Sequence, residues 1–142
     1  MKHGPLRSEY RVFYPVATRW MDNDIYGHVN NVVYYSYFDT VVNLYLIAEG
    51  GLDISSAPVV GYVVDSGCSY LAPVGYPDQL EAGLRVDKLG NSSVRYGVAI
   101  YKQGDEAASA YGHFVHVFVE RHSNQPVAVP PALRSALELI LV

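Results

Sequence analysis

The stretch from Asn30 to Glu49 constrains the fold more than any other part of the chain. Val33, Tyr37, Val41, Leu44 and Ala48 recur at helical spacing, and Val32, Phe38, Val42 and Tyr45 widen the stripe. Only Ser36, Asp39, Thr40 and Asn43 interrupt it with polar side chains. A helix this apolar around its circumference needs packing partners on most sides, so it is expected to be largely buried and central. Asn30 or Asn31 is suited to cap its N-terminus, and Gly50-Gly51 to stop it.

The sequence on either side of the helix has a period of two. From Glu9 to Trp20, Tyr10, Val12, Tyr14, Val16, Thr18 and Trp20 share one face and Arg11 and Arg19 the other, which predicts a strand. Residues 21–29, with their Asp, Asn and Gly, read as a loop. Four strand-like runs follow the helix, at 58–71, 79–88, 93–102 and 107–120. In the second, Leu80, Ala82, Leu84 and Val86 oppose Glu81, Gly83, Arg85 and Asp87. Leu89-Gly90-Asn91 and Gln103-Gly104-Asp105 are suited to join successive runs as hairpins. Pro130-Pro131 opens a short amphipathic helix carrying Leu133, Leu137 and Ile140. The order predicts an α+β fold, an antiparallel sheet of about five strands around one long helix. Such a domain is thin, and the last run is apolar on both faces, so a second copy of the chain is expected to cover what one copy leaves open.

With 142 residues the chain fits one domain. Apolar residues make up 50% and charged residues 17%, enough to build a core and too apolar for a disordered chain. The formal charge of −4, with ten scattered basic residues, excludes the clustered cations that nucleic-acid binding requires. A single cysteine, Cys68, allows no intramolecular disulfide and no cysteine-based metal site, and a reducing cytoplasm is the expected setting. Met1-Lys2-His3-Gly4-Pro5 lacks the apolar core of a signal peptide. No run reaches the roughly 20 apolar residues that span a bilayer.

The candidate chemistry lies at the start of the central helix. Asp24 sits in a loop a few residues before it, and the free N–H groups of a helix start favour negative charge. A carboxylate close to an oxyanion site is what acyl transfer needs. A thioester demands little more, because its leaving thiol has a pKa of about 8.5 and needs no strong general acid. The carboxylate could activate water or attack the carbonyl directly.

The run Arg19-Trp20-Met21-Asp22-Asn23-Asp24-Ile25-Tyr26-Gly27-His28-Val29-Asn30-Asn31-Val32-Val33-Tyr34 resembles the signature of the 4-hydroxybenzoyl-CoA thioesterase-like family. The elements held in common are an aspartate, then Gly-His-Val-Asn-Asn, then a tyrosine three residues on, leading into the central helix. Weaker likeness continues through Leu71-Ala72-Pro73-Val74 with Asp78 after it, and through Gly90-Asn91-Ser92-Ser93-Val94. The resemblance implies a single hot-dog domain over residues 1–142 with acyl-CoA or acyl-carrier-protein thioesterase activity. It implies Asp24 as base or nucleophile, a backbone N–H at Asn31 as oxyanion donor, Gly27 as the point of close approach, and His28 beside the carboxylate. It further implies substrate contacts at Tyr26, Asn30, Tyr34, Ser92 and Ser93, and a homodimer or homotetramer with sites at the subunit interface. No metal or redox cofactor is implied, CoA entering only as part of the substrate. Many relatives carry an acidic pair followed by Ala-Arg in the second helical turn. Here Asp39-Thr40-Val41-Val42 stands instead, so that arginine's contact is not carried over.

Other readings of the same residues are weaker. Asp22 is expected to be a solvated or backbone-bonding turn residue. Counted as a calcium loop from Asp22, the segment puts Tyr26 and Val33 where oxygen ligands are required, and that reading fails. His113 and His116, three apart on a strand, point to opposite faces and read as buried or interface histidines. Cys68 reads as a small buried hydrophobe. No Gly-x-Ser-x-Gly elbow is present, which argues against a serine hydrolase. Lys88, Arg95, Arg121 and Arg134 are candidate contacts for CoA phosphates, or solvated charges. The alternatives to a thioesterase are a hydratase or dehydratase on acyl thioesters and a non-catalytic acyl-thioester binding module.

Overall fold

The computed structural model describes residues 4–142; Met1, Lys2 and His3, part of the chain start read above, lie outside the described residues. Five strands form one antiparallel sheet: β1 (Val12–Ala17), β2 (Val59–Tyr70), β3 (Gln79–Leu89), β4 (Ser93–Lys102) and β5 (Ala108–Glu120). Their order across the sheet is β1-β3-β4-β5-β2, which leaves β1 and β2 at the edges. The long helix α1 (Val33–Ala48) lies in the concave face, and α2 (Pro131–Glu138) packs beside it through Leu133, Ala136 and Leu137. This is the α+β hot-dog arrangement. No helix among the described residues is long and apolar enough to cross a membrane.

The core follows from the sequence periods. Tyr34, Tyr37, Phe38, Val41, Val42, Tyr45 and Leu46 of α1 are buried against Leu80, Ala82, Leu84 and Val86 of β3, with Tyr96, Val98, Phe114 and Phe118 from the next two strands. The helix is not buried all round, as its composition had suggested. Ser36 and Thr40 are exposed, and Val32, Leu44 and Ile47 keep 63%, 42% and 42% of their surface in this single chain. A single sheet can cover only one side of the helix.

The first strand is shorter than the predicted run from Glu9 to Trp20. Arg7–Glu9 and Trp20–Asp22 are short 3-10 turns, and only Val12, Tyr14 and Val16 of the alternating set face the main core. Tyr10 crosses to the convex face, where it packs with Phe13, Ala99, Tyr101, Ala108 and Tyr111 in a second cluster. Arg7 lies over the Phe13 and Tyr101 rings, and Arg85 over Tyr10. The N-terminal segment thus covers part of the convex face that was expected to need a second copy.

The two histidines of β5 separate as their spacing requires. His113 faces outward and meets Asp65 at 2.9 Å. His116 is 1% exposed in a box of Tyr96, Phe114 and Phe118, with Nδ1 3.2 Å from the Tyr96 hydroxyl. Burial pulls its pKa down to about 4, so the fold holds it neutral. Between that value and the unfolded value of about 6.5 the unfolded chain binds the extra proton, so this contribution is complete above the window and is lost as pH falls through it. His116→Gln, which keeps an acceptor for Tyr96, should therefore flatten the loss of stability between pH 7 and pH 4.5 by about 2–3 kcal/mol. Urea titrations of both proteins at the two pH values measure it, and parallel losses would contradict it.

Candidate active site

The loop before α1 is built by its own polar side chains. Asp24 Oδ1 accepts the N–H groups of Tyr26 at 2.8 Å and His28 at 3.2 Å, while the Asp24 N–H donates to the His28 carbonyl at 2.7 Å. Asn23 and Val29 pair as an isolated antiparallel bridge, so the loop is a tight hairpin-like turn with Asp24 near its base. At Gly27 the chain takes φ +78°, a left-handed conformation that disfavours any side chain.

Neighbouring segments hold this turn. Asn23 Oδ1 accepts the Tyr76 N–H at 2.9 Å, and the Val29 N–H donates to the Val74 carbonyl at 2.7 Å. Gly75 lies so close to the Gly27 carbonyl that a Cβ there would collide with it. Gly27→Ala should cost about 1–2 kcal/mol, because the left-handed backbone is strained by a Cβ although the space for one is open. A chemical denaturation curve superimposable on wild type would mean that the loop adopts another conformation.

The helix starts later than expected. Its cap position is Val32 and not Asn30 or Asn31, and no side chain caps it from there. Asn30 builds the preceding turn: its carbonyl accepts the Val33 N–H at 2.9 Å, and its Oδ1 the Val32 N–H at 3.3 Å. The Asn31 carbonyl accepts the Tyr70 hydroxyl at 2.9 Å. The Asn31 N–H has no hydrogen-bond partner among the described residues. It therefore stands at the helix start with its bonding capacity unused.

Asp24, His28, Asn31 and Tyr34 line one groove of about 300 Å³, with Val29, Tyr70, Leu71, Ala72 and Pro73. Tyr34 is 3% exposed and meets the Tyr70 ring edge-on at 5.1 Å; burial, with the Cys68 thiol nearby, pushes its hydroxyl up to about 12. Of the other residues the sequence singled out, Gly27 and Tyr26 sit at the loop tip, with Tyr26 81% exposed. Ser92 and Ser93 are not brought to this groove within one chain. Ser93 pairs with Val117 of β5, whereas the groove's Tyr70 pairs with Ala110, about 23 Å away along the same strand. Two candidate phosphate contacts are already occupied, since Arg121 donates to the Ile54 and Ala57 carbonyls and Arg134 to those of Gly90 and Asn91. Cys68 is half-buried against the core, and burial pushes its thiol up to about 11.

Asp22, expected as a solvated or backbone-bonding turn residue, does bond the Arg19 backbone N–H at 2.9 Å but is not solvated. It is 1% exposed, accepts the Tyr37 hydroxyl at 2.7 Å, and is paired with the Arg19 guanidinium at 2.9 Å. Burial alone would raise its pKa, but hydrogen bonds from Tyr37 and Arg19 and the guanidinium charge outweigh burial and hold the carboxyl below its ordinary range. Tyr37, Arg19 and Tyr70 were missed from sequence as parts of this site. Fifteen residues separate Asp22 from Tyr37, too far for any local pattern to join them.

Comparison with known proteins agrees with this fold. The chain belongs to the thioesterase-like superfamily, which it matches over residues 18–137. The crystal structure of the PA5185 protein from Pseudomonas aeruginosa strain PAO1 is 58% identical over 96% of both chains, with a TM-score of 0.95. The PA2801 protein of Pseudomonas aeruginosa is 30% identical, covering 87% of this chain and 95% of its own, with a TM-score of 0.81. Slr0204, a 1,4-dihydroxy-2-naphthoyl-CoA thioesterase from Synechocystis, shares the fold at 16% identity, with a TM-score of 0.79 over 88% of this chain and 93% of its own. No curated protein matches the sequence.

Proposed function

We propose that the protein hydrolyses an acyl-CoA thioester to a carboxylic acid and free CoA, with Asp24 as base or nucleophile. The observation that carries this reading is the shared groove, which both Asp24 and Asn31, with its unpaired N–H, line at the start of α1. Only one Asp24 oxygen is held by backbone donors, which leaves Oδ2 for water or for the carbonyl carbon. As the carbonyl becomes tetrahedral its oxygen takes negative charge, and the Asn31 N–H with the helix dipole behind it stabilises that charge. Collapse breaks the C–S bond, and the thiol needs little help in leaving. As base, Asp24 returns the proton taken from water to the departing sulfur; as nucleophile, it is left as a mixed anhydride that water then cleaves to the acid. The chemistry calls for no metal or redox cofactor. The lone cysteine fits a reducing, cytoplasmic setting.

The edge strand β2 supports a homodimer. It runs for 12 residues, pairs among the described residues only with β5, and leaves Tyr62, Val63, Val64 and Tyr70 between 45% and 58% exposed. Asp65 is its only charged residue, so little in the strand blocks pairing with a second β2. Tyr70 ends that edge and lines the groove, so a second copy would close the groove on its open side.

Two experiments test these readings. A thiol-release screen over short, medium, long and aromatic acyl-CoAs should find a substrate, and Asp24→Asn should lower its turnover about 10²-fold or more. Wild-type turnover in that variant, or water addition to an enoyl-CoA without thiol release, would overturn the mechanism. Val63→Lys with Val64→Lys should shift the sedimenting species from dimer to the 15.7 kDa monomer and lower thiol release with it. A wild-type protein that sediments only as monomer would refute the dimer.

A further inference from the structure

We infer that Asp22 and Tyr37 form a positioning pair that sets Asp24 against the Asn31 N–H; the inference rests on the thioesterase reading above. Asp22 makes contacts on both arms of the loop and on the helix. Its Oδ2 accepts the Tyr37 hydroxyl at 2.7 Å and the Arg19 backbone N–H at 2.9 Å. Its Oδ1 accepts the Arg19 Nε at 3.0 Å, and its backbone carbonyl accepts the Asn30 N–H at 2.8 Å. Asp24 is two residues after Asp22, and Asn31 is one residue after Asn30. One residue therefore ties together the arm that carries the carboxylate, the arm that carries the oxyanion donor, and α1 itself through Tyr37.

Neither Asp22 nor Tyr37 lines the groove that holds Asp24 and Asn31. Asp22 is 1% exposed and Tyr37 6%. They act through Asp24 and Asn31 without touching substrate. A buried carboxylate is costly, and an apolar residue would fill the same space at no electrostatic cost. An apolar residue would keep the backbone bond to Asn30, but it could not supply the directed side-chain bonds to Arg19 and to Tyr37 of α1.

The test is a cycle between Tyr37→Phe, which deletes one oxygen and leaves the ring, and Asp24→Asn. Thermal melts establish that each protein is folded at the assay temperature. Tyr37→Phe alone should lower kcat about tenfold with KM within about twofold, the loss expected when a catalytic group is displaced by a fraction of an ångström. In the Asp24→Asn background, where product is accumulated over long incubations, the same change should cost less than about twofold, because the carboxylate it positions is gone. Asp22→Asn, which can still accept from Tyr37 and from the Arg19 N–H, should retain more activity than Asp22→Ala. An equal loss in both backgrounds, or full kcat in Tyr37→Phe, would overturn the inference. Full activity in Asp24→Asn would instead overturn the thioesterase mechanism, so the two failures are distinguishable.

Discussion

Docking of α1 into the concave face of the sheet fixes everything else in the molecule. Tyr34, Phe38, Val41, Val42, Tyr45 and Leu46 are almost completely withdrawn from water, and together they set the rotation of the helix about its own axis. At about 100° per residue, a slip of one position would carry Asn31 out of the groove and Tyr37 away from Asp22. The place of the groove residues at the helix start therefore depends on hydrophobic packing several residues further along the helix. The loop is then fastened to that frame by hydrogen bonds between Asp22 and Tyr37, Asn23 and Tyr76, and Val29 and Val74.

The tyrosines show how polar groups are accommodated in so apolar a core. Tyr37 donates to Asp22, Tyr45 to the Ala136 carbonyl, Tyr70 to the Asn31 carbonyl and Tyr101 to the Pro5 carbonyl, while Tyr96 meets His116. All of these rings but the half-exposed Tyr70 fill core volume, and each hydroxyl ties two segments distant in sequence, which a phenylalanine could not do. Among the described residues no buried side-chain nitrogen or oxygen lacks a hydrogen-bond partner. A core with so many hydroxyls is specified by bonds that must all be satisfied at once.

Much of this fold was legible in the sequence because it rests on periodicity. The four runs after the helix correspond to β2–β5 within one or two residues, and Pro131 and Gly51 stand close to the helix ends they were read to mark. The sequence misled where long-range contacts override local pattern. Tyr10 and Trp20 continue the alternation of β1, yet one joins the convex cluster and the other is 81% exposed. The helix start was misplaced because Asn30 uses its capping chemistry on the turn before the helix. In the site, the motif located Asp24, His28, Asn31 and Tyr34 in one groove but gave no sign of Tyr70, which arrives from another strand.

The two aspartates of the loop illustrate how environment divides identical groups between tasks. Asp22 is enclosed and bonded through both oxygens to Tyr37 and Arg19, and it does not line the groove. Any reaction at Asp22 would have to break the hydrogen bonds that hold a buried carboxylate, and leaving a buried charge without partners is costly. Asp24, two residues on, is half-buried, keeps one oxygen in the backbone turn, and turns toward a groove open to ligand. Its carboxylate is oriented but not consumed, which a base or nucleophile requires. The rigidity of Asp22 and the availability of Asp24 are complementary, because a carboxylate free to react can hold its position only if a neighbour that does not react holds the chain.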